Sequence, residues 1–306
     1  MVVILSLTGC WGEEKKHLNV GTNQWLGYET LYLGRSLGYF EQTPIRLVEL
    51  GSATAVSQAF RNQVLDVAAL TLDEVLTLMQ TEDDLRVILI LDISNGADAL
   101  LVKPDIKQLS DLKGKRVGVE SSAVGAILLS AVLDKAKLSV SDIDIVSLTV
   151  NNHLEAYRKG GLDAVVSFEP VKTKLIQEGA HSLFDSRQIN GQIVDVLVTR
   201  QSVINERPEL LNELIQGQMQ ALSYLTENPQ DAINSMRQRL GLSYDEFLTA
   251  YNGLELPSYS INKELMAGSE PKLLKTLTIL RSLMLDKNLL RDKPTVDQLI
   301  DDRFIQ

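Results

Sequence analysis

The chain has 306 residues, a formal net charge of −10 and a hydrophobic fraction of 44%. This length predicts two lobes, and the hydrophobic fraction is enough to build a core in each. The acidic balance argues against a nucleic-acid partner, because phosphate binding requires a basic face. A single cysteine excludes an internal disulfide and any cysteine-based metal site.

An apolar run opens the chain and ends in Leu7-Thr8-Gly9-Cys10, after which a hydrophilic stretch follows. Small residues before a lone cysteine resemble the lipobox of a bacterial lipoprotein. This resemblance implies that Cys10 becomes a lipidated N-terminus, that residues 1–17 are leader and tether, and that the remainder works outside the cytoplasm. The alternative is a buried strand with an inert thiol. No stretch reaches the roughly 18 apolar residues of a spanning helix, so membrane attachment would come through the N-terminus.

Strands and helices alternate in the first third of the chain. Strands are predicted at 18–22, 45–50, 67–70 and 85–91, and helices at 30–37, from 53 onward and at 72–79. This order predicts a parallel α/β sheet.

The pattern restarts after Pro104 with strands at 117–119, 144–148 and 164–166 and helices at 123–135, 153–159 and 170–178. A further strand at 194–198 predicts a return to the first lobe, and the pattern beyond Arg200 is almost wholly helical. We therefore expect a first lobe of residues 18–98 and 195–306 and a second lobe of residues 99–194. The strands that join the lobes would act as a hinge.

Several segments together resemble one known family. They are Asn23-Gln24-Trp25-Leu26-Gly27-Tyr28-Glu29, 33–41, the Gly51-Ser52 turn, 59–62, 65–69, 109–119 and 162–170. In order and spacing they are similar to the solute-binding proteins of nitrate, sulfonate, taurine and thiamine-precursor ABC transporters. The resemblance implies a type II periplasmic-binding-protein fold, in which two α/β lobes close over a small molecule, and a membrane permease as partner. It also implies a location in the periplasm, and we expect a monomer.

Ligands of open α/β sheets bind outside the carboxyl ends of the strands, where helix N-termini offer unpaired N–H groups. The candidate binding residues are therefore loop residues: Asn23, Trp25, Tyr28 and Glu29 after the first strand, Ser52 after the second, Thr71 and Asp73 after the third, Asn95 and Asp98 near the hinge, and Ser121, Ser122 and Glu169 in the second lobe. Helix capping is the alternative role for Glu29, Ser52, Thr71 and Asp73.

The charges in these loops favour one class of ligand. Acidic residues fall in or near them (Glu29, Asp73, Asp98, Glu120, Glu169 and Asp195), and no basic residue does. Glu120 stands where the family often has a glycine before two hydroxyl residues that hold an anion, and a carboxylate there would repel an oxyanion. The sequence therefore predicts a positively charged or N–H-rich solute, such as an amine or an aminopyrimidine. The aromatic pair Trp25 and Tyr28 suits a planar or cationic group.

Two other functions remain open: binding of a sulfonate, nitrate or taurine, and an enzyme of the thiamine-pyrimidine synthase type. A sensor without a transport role is a further alternative. The histidines lack metal-ligand spacing, and the common catalytic motifs are absent from the sequence. We therefore predict no enzymatic activity, no cofactor and no metal site.

Overall fold

A computed structural model describes residues 17–121, 123–189 and 191–306. Its strands are β1 Leu18–Asn23, β2 Ile45–Leu50, β3 Val67–Thr71, β4 Leu85–Ser94, β5 Asp98–Val102, β6 Arg116–Val119, β7 Asp144–Ser147, β8 Ala164–Phe168, β9 His181–Asp185, β10 Val194–Arg200 and β11 Leu254–Glu255. Its α-helices are α1 Glu29–Ser36, α2 Ala53–Arg61, α3 Leu72–Leu78, α4 Ala123–Ala136, α5 His153–Arg158, α6 Val171–Gln177, α7 Gln201–Glu206, α8 Pro208–Glu227, α9 Pro229–Leu240, α10 Tyr244–Tyr251, α11 Tyr259–Met266 and α12 Lys272–Asp286. No helix among these residues is both long and apolar enough to cross a membrane.

The strands form two sheets, which confirms a mixed α/β architecture. One sheet has the order β11-β4-β10-β3-β1-β2, and the other has the order β7-β6-β8-β5-β9. Strands β1, β2 and β3 run parallel, but β10 is inserted between β3 and β4 and runs antiparallel to both. The prediction of a purely parallel sheet was therefore wrong. The sequence predicted that a strand at 194–198 returns to the first lobe, but alternation of strands and helices does not give the position or direction of that strand in the sheet.

The insertion of β10 places distant polar residues side by side. Asp195 of β10 is paired in register with Thr71 of β3 on one side and with Asp92 of β4 on the other. Directly opposed residues of antiparallel strands have Cα atoms about 4.5–5.5 Å apart. Two carboxyl groups and a hydroxyl group thus meet at one end of the sheet, although 124 positions separate Thr71 from Asp195.

The chain crosses between the sheets twice, from β4 to β5 and from β9 to β10, and the two crossings are hydrogen-bonded to each other. Ser186 Oγ accepts from Gly96 N at 2.6 Å and lies 2.8 Å from Ser94 Oγ. Ser94 N donates to Ile193 O at 3.0 Å. Gly96 has a φ of +118°, a conformation that side-chain-bearing residues adopt with strain. The sequence Asn95-Gly96 thus forms a tight turn between the sheets.

The helices after β10 pack mainly on other helices: α8 and α9 contact α1, α12 contacts α3, and α7 contacts β10. Pro208 and Pro229 occupy the first turns of α8 and α9, where a missing N–H is tolerated. Buried Asn262 of α11 binds the free edge of β4, since its Oδ1 accepts from Ile90 N at 2.8 Å and its Nδ2 donates to Ile90 O at 3.1 Å. One amide side chain therefore satisfies both backbone groups of Ile90 where no neighbouring strand does.

Candidate functional site

A cavity lies between the two sheets at the carboxyl ends of β1 and β3. About 280 Å³ of non-atom space, which includes open solvent, lies between its walls, and about 20 Å³ of that space is open to the centre of a water molecule. The side chains that line it are Asn23, Trp25, Tyr28, Ala53, Thr71, Glu74, Asp98, Val124, Phe168, Ile193 and Asp195. No Lys or Arg of the described residues lines this cavity, and three of the lining groups are carboxyls.

Two aromatic side chains donate hydrogen bonds to the carboxyl pair of β4 and β10. Trp25 Nε1 lies 3.1 Å from Asp92 Oδ2 and 3.3 Å from its Oδ1, and Tyr28 OH lies 2.5 Å from Asp195 Oδ1. Gly27 is required for this arrangement, because a Cβ atom there would lie 1.9 Å from Asp92 Oδ2. The short segment after β1 therefore holds the carboxyl pair in place through its ring N–H and O–H groups.

Four buried oxygen atoms of the cavity wall have no hydrogen-bond partner among the described residues. They are Thr71 Oγ1, Glu74 Oε1, Asp98 Oδ2 and Asp195 Oδ2. Each belongs to a residue that is at most 6% exposed. Buried polar atoms are nearly always hydrogen-bonded, and one left unsatisfied costs about 1–3 kcal/mol. A cluster of such acceptors on one cavity indicates a place for a molecule that donates hydrogen bonds.

Burial raises the pKa values of these carboxyl groups. Desolvation raises the pKa of Asp98 to about 7, although the hydrogen bond from Ser94 opposes the shift. Desolvation and the nearby charge of Asp73 raise the pKa of Glu74 to about 8. The pKa of Asp92 rises to about 8 through burial, and that of Asp195 rises well above its ordinary value for the same reason. Near neutral pH the cluster therefore retains protons that a bound cation would displace.

Aromatic rings from both sheets meet across the cavity. Trp25 follows β1, and Phe168 ends β8. Their ring centroids are 5.4 Å apart at an interplanar angle of 87°, an edge-to-face arrangement. Both rings line the cavity. They provide flat apolar walls beside the carboxyl groups.

The structure brings Asn23, Trp25, Tyr28, Thr71 and Asp98 of the predicted site residues together on the cavity. Others have different surroundings. Buried Glu29 binds Arg239 Nε at 3.1 Å, and Ser52 caps α2 by accepting from Ala55 N at 3.2 Å. Asp73 is buried next to Glu74 but does not line the cavity.

Asn95 Nδ2 donates to Glu255 Oε1 at 2.9 Å on the exposed side of the crossing. Buried Glu169 accepts from Thr173 N at 3.1 Å and lies 3.3 Å from Lys172 Nζ. Lys172 is therefore a cation close to the cleft, contrary to the prediction that no basic residue lies near these loops. Ser121 Oγ lies 2.6 Å from Ser147 Oγ beside a neighbouring groove. Ser122 and Cys10 lie outside the described residues.

Sequence reasoning did not select Glu74, Asp92, Asp195 or Phe168 as site residues. Asp92 and Asp195 each stand inside a buried strand that is mostly apolar. A charged residue in such a run is costly unless it is paired or functional, and that signal could have identified both. Glu74 stands three residues after Thr71, a spacing that indicates a helix cap and not a binding residue. Its Oε2 does accept from Thr71 N at 3.1 Å, but its other oxygen faces the cavity.

Comparisons with known proteins agree with this fold. The taurine-binding periplasmic protein of Escherichia coli strain K12 is 26% identical over 148 residues, which are 47% of this chain and 46% of that protein. The chain spans about half the length of the curated relatives it matches.

Solved structures confirm the predicted periplasmic-binding-protein fold. The alkanesulfonate-binding protein of Xanthomonas axonopodis pv. citri, bound to MOPS, has a TM-score of 0.79 at 19% identity, covering 94% of this chain and 98% of that one. A desulfurization enzyme has the same fold, with a TM-score of 0.68 at 16% identity over 94% of this chain and 97% of that one. The fold therefore does not decide between binding and catalysis.

The sequence itself decides the family. The model of the NMT1-like family matches residues 12–241, which is most of the chain. The chain belongs to the NMT1-like family.

Proposed function

We propose that this chain is an extracytoplasmic solute-binding protein of an ABC importer and that it captures a small amine or aminopyrimidine-like solute. The solute occupies the cavity between the sheets, and the crossing segments around Gly96 act as the hinge of closure. Residues 18–98 and 195–306 form one lobe of this device, and residues 99–194 form the other. The captured solute is then passed to a permease in the inner membrane.

The observation that carries the proposal is the set of unpaired oxygens on the cavity wall. Glu74, Asp98 and Asp195 each present one buried carboxyl oxygen without a partner among the described residues, and Thr71 adds a hydroxyl oxygen. An ammonium group has three N–H donors and no acceptor, so it matches this wall. A purely anionic solute would be repelled wherever these carboxyl groups are ionised, because the dielectric constant of the buried cavity is low.

The aromatic walls support a solute with a flat or cationic group. Tyr28, Trp25 and Phe168 line the same cavity as the carboxyl groups. Aromatic faces attract cations by about 0.5–2 kcal/mol, and they pack well against planar rings. An aminopyrimidine combines a flat ring with N–H donors and meets both conditions.

Binding of a sulfonate is the second candidate, and the named functions of two similar proteins favour it. One is a taurine-binding protein and the other an alkanesulfonate-binding protein. Taurine carries an ammonium group as well as a sulfonate. Its ammonium group would match the carboxyl cluster, so a test has to separate the two charged groups.

Calorimetric titration with three small molecules of similar size distinguishes binding of the ammonium group from binding of the sulfonate group. Ethylamine has the ammonium group alone, ethanesulfonate has the sulfonate alone, and taurine has both. We expect 2-methyl-4-aminopyrimidine or ethylamine to bind, taurine to bind no better than ethylamine, and ethanesulfonate and nitrate not to bind. Binding of ethanesulfonate without binding of either amine would refute the cationic proposal.

Two variants locate the binding. Asp195→Asn removes the charge from the cavity wall, and we expect a loss of affinity of about 10- to 150-fold, as for a charged hydrogen bond of about 1.5–3 kcal/mol. Asp105→Asn changes an exposed carboxyl group of the other lobe and should leave affinity unchanged. Equal losses in both variants would mean that the solute responds only to overall charge.

Binding without chemistry is also part of the proposal. A solute recovered from the full chain after prolonged incubation should have an unchanged mass, and steady turnover would instead favour the enzyme alternative. We further propose a lipid on Cys10 as the membrane anchor and a monomeric state. Mass spectrometry of the membrane-extracted protein and light scattering test these two points.

A further inference from the structure

A second, more open groove lies next to the cavity and shares Glu74 with it. Helices α2 and α3 form one wall, and the loops after β6 and β7 form the other. The groove is lined by Thr54, Ser57, Gln58, Arg61, Glu74, Thr77, Leu78, Glu120, Ser121, Ser147, Leu148 and Thr149. Glu120 is only 4% exposed, and it lies where the two walls meet.

The carboxylate of Glu120 is bound from both sides of the cleft. Its Oε1 accepts from Thr54 N at 3.1 Å and from Thr54 Oγ1 at 2.6 Å, and its Oε2 accepts from Val150 N at 2.9 Å. Thr54 belongs to α2, on the six-stranded sheet. Glu120 and Val150 lie in the loops that follow β6 and β7 of the five-stranded sheet. One carboxylate therefore connects the two halves of the molecule through three donors.

These donors are of the kind that bind free oxyanions. Thr54 lies in the first turn of the nine-residue helix α2, where N–H groups have no partner within the helix and the helix dipole favours negative charge. Val150 begins a short 3-10 turn and offers a second unpaired N–H. Hydrogen bonds from such groups to a carboxylate are charge-assisted and stronger than neutral ones. No Lys or Arg of the described residues is within salt-bridge distance of Glu120, so N–H and O–H donors alone compensate its charge.

We propose that Glu120 is an internal oxyanion that clasps the two halves of the protein and sets the charge preference of its cleft. Its carboxylate occupies the position at the start of α2 that a sulfonate or carboxylate of a solute would otherwise take. The claim that Glu120 connects the two halves is supported by its three hydrogen bonds to Thr54 and Val150. The part that concerns solute preference rests on the proposed function.

Chemical rescue tests the clasp without any solute. Glu120→Ala leaves the three donors unpaired, so the melting temperature of the full chain should fall. Sodium formate should then raise the melting temperature of Glu120→Ala in a saturable manner, by mass action, whereas sodium chloride at the same ionic strength should not. Formate should leave the melting temperature of the wild type unchanged, because the Glu120 carboxylate already occupies the site between Thr54 and Val150.

Asp111→Ala is the matched control. Asp111 Oδ2 also accepts two backbone N–H bonds, from Lys107 at 2.9 Å and from Gln108 at 3.1 Å, but all of these groups lie in one half of the molecule and near solvent. Formate should not rescue this variant. Equal rescue of both variants, or no rescue of Glu120→Ala, would overturn the clasp.

Two further measurements keep the proposal falsifiable if Glu120→Ala folds poorly. Thr54→Val keeps the size of the side chain and removes one donor, so small-angle scattering should show a larger radius of gyration than for the wild type. In Glu120→Gln binding of ethanesulfonate should become detectable, since a neutral amide no longer repels it. An unchanged radius in Thr54→Val, or no binding of ethanesulfonate to Glu120→Gln, would contradict the proposal.

The outcomes separate the two proposals. Formate rescue without amine binding to the wild type would refute the proposed solute and retain the clasp. Amine binding without rescue would do the reverse.

Discussion

Replacing Asp98 by Asn tests whether the carboxyl cluster of the cavity destabilises the folded protein at neutral pH. Asp98 is 5% exposed, and its Oδ2 has no partner among the described residues. The substitution keeps the shape of the side chain but removes its ability to ionise. We therefore expect the solute-free variant to be more stable than the wild type at pH 8 and to lose this advantage in acid.

The size of the effect follows from the pKa. Burial raises the pKa of Asp98 from 3.8 to about 7, and each unit corresponds to about 1.4 kcal/mol. The folded state binds the proton of Asp98 more tightly than the unfolded state does. Protonated Asp98 therefore adds to the free energy of unfolding, fully below pH 4, and this contribution is lost as pH rises to about 7. Linkage gives a loss of about 3 kcal/mol between pH 5 and pH 8. Asp98→Asn should not show this loss.

Urea unfolding of the solute-free protein at the two pH values measures the difference. The gain in unfolding free energy from Asp98→Asn should be about 3 kcal/mol larger at pH 8 than at pH 5. Asp105→Asn serves as the control because its carboxyl group is exposed, and surface changes of this kind usually stay within about 0.5 kcal/mol. A gain that is the same at both pH values would refute the claim that Asp98 holds its proton in the folded state.

Three other predictions address the site and its support. Amine affinity should rise from pH 6 to pH 8, and binding should release protons, because a cation favours the ionised forms of Asp98 and Glu74, whose pKa values are about 7 and about 8. Calorimetry in two buffers of different ionisation enthalpy measures the number of protons released. An affinity that falls as pH rises would contradict the prediction. Tyr28→Phe should lower stability by about 1–3 kcal/mol in urea unfolding, since Asp195 Oδ1 loses its donor, and an unchanged midpoint would show that this bond contributes nothing. Asn262→Ala should lower the unfolding free energy by about 3 kcal/mol because both backbone groups of Ile90 lose their partner, and hydrogen exchange at the Ile90 amide should accelerate only in this variant.

The sequence predicted the local elements well because they depend on local patterns. Short apolar runs identified β1, β2 and β3, and the helix-rich character beyond Arg200 was also correct. Strand neighbours were not predictable in the same way. The position of β10 between β3 and β4 depends on pairing across more than 100 residues, and no local pattern encodes such a pairing.

The same distinction applies to the site. Trp25, Tyr28, Thr71 and Asp98 were found because they follow strands, and the topology brings such loops together. Glu29 was selected by the same rule, yet it pairs with Arg239 from α9, a contact between residues 210 positions apart. Asp195 reaches the cavity only through the antiparallel insertion of β10. Loop position thus identifies candidates, and the long-range packing decides which of them face the ligand.

In the closure that we propose for solute capture, the charges of the cleft act in opposite directions. Glu74, Asp98 and Asp195 lose hydration when the halves meet, and without a bound donor their unpaired oxygens oppose closure. Glu120 gains two hydrogen bonds from Thr54 across the cleft and favours it. A solute rich in N–H donors would satisfy the unpaired oxygens and leave the Glu120 hydrogen bonds unchanged. It would therefore shift the equilibrium towards the closed state by its differential affinity for that state. Under the proposed function, the acidic cluster therefore makes closure depend on the solute, and the Glu120 clasp offsets part of the cost of closing.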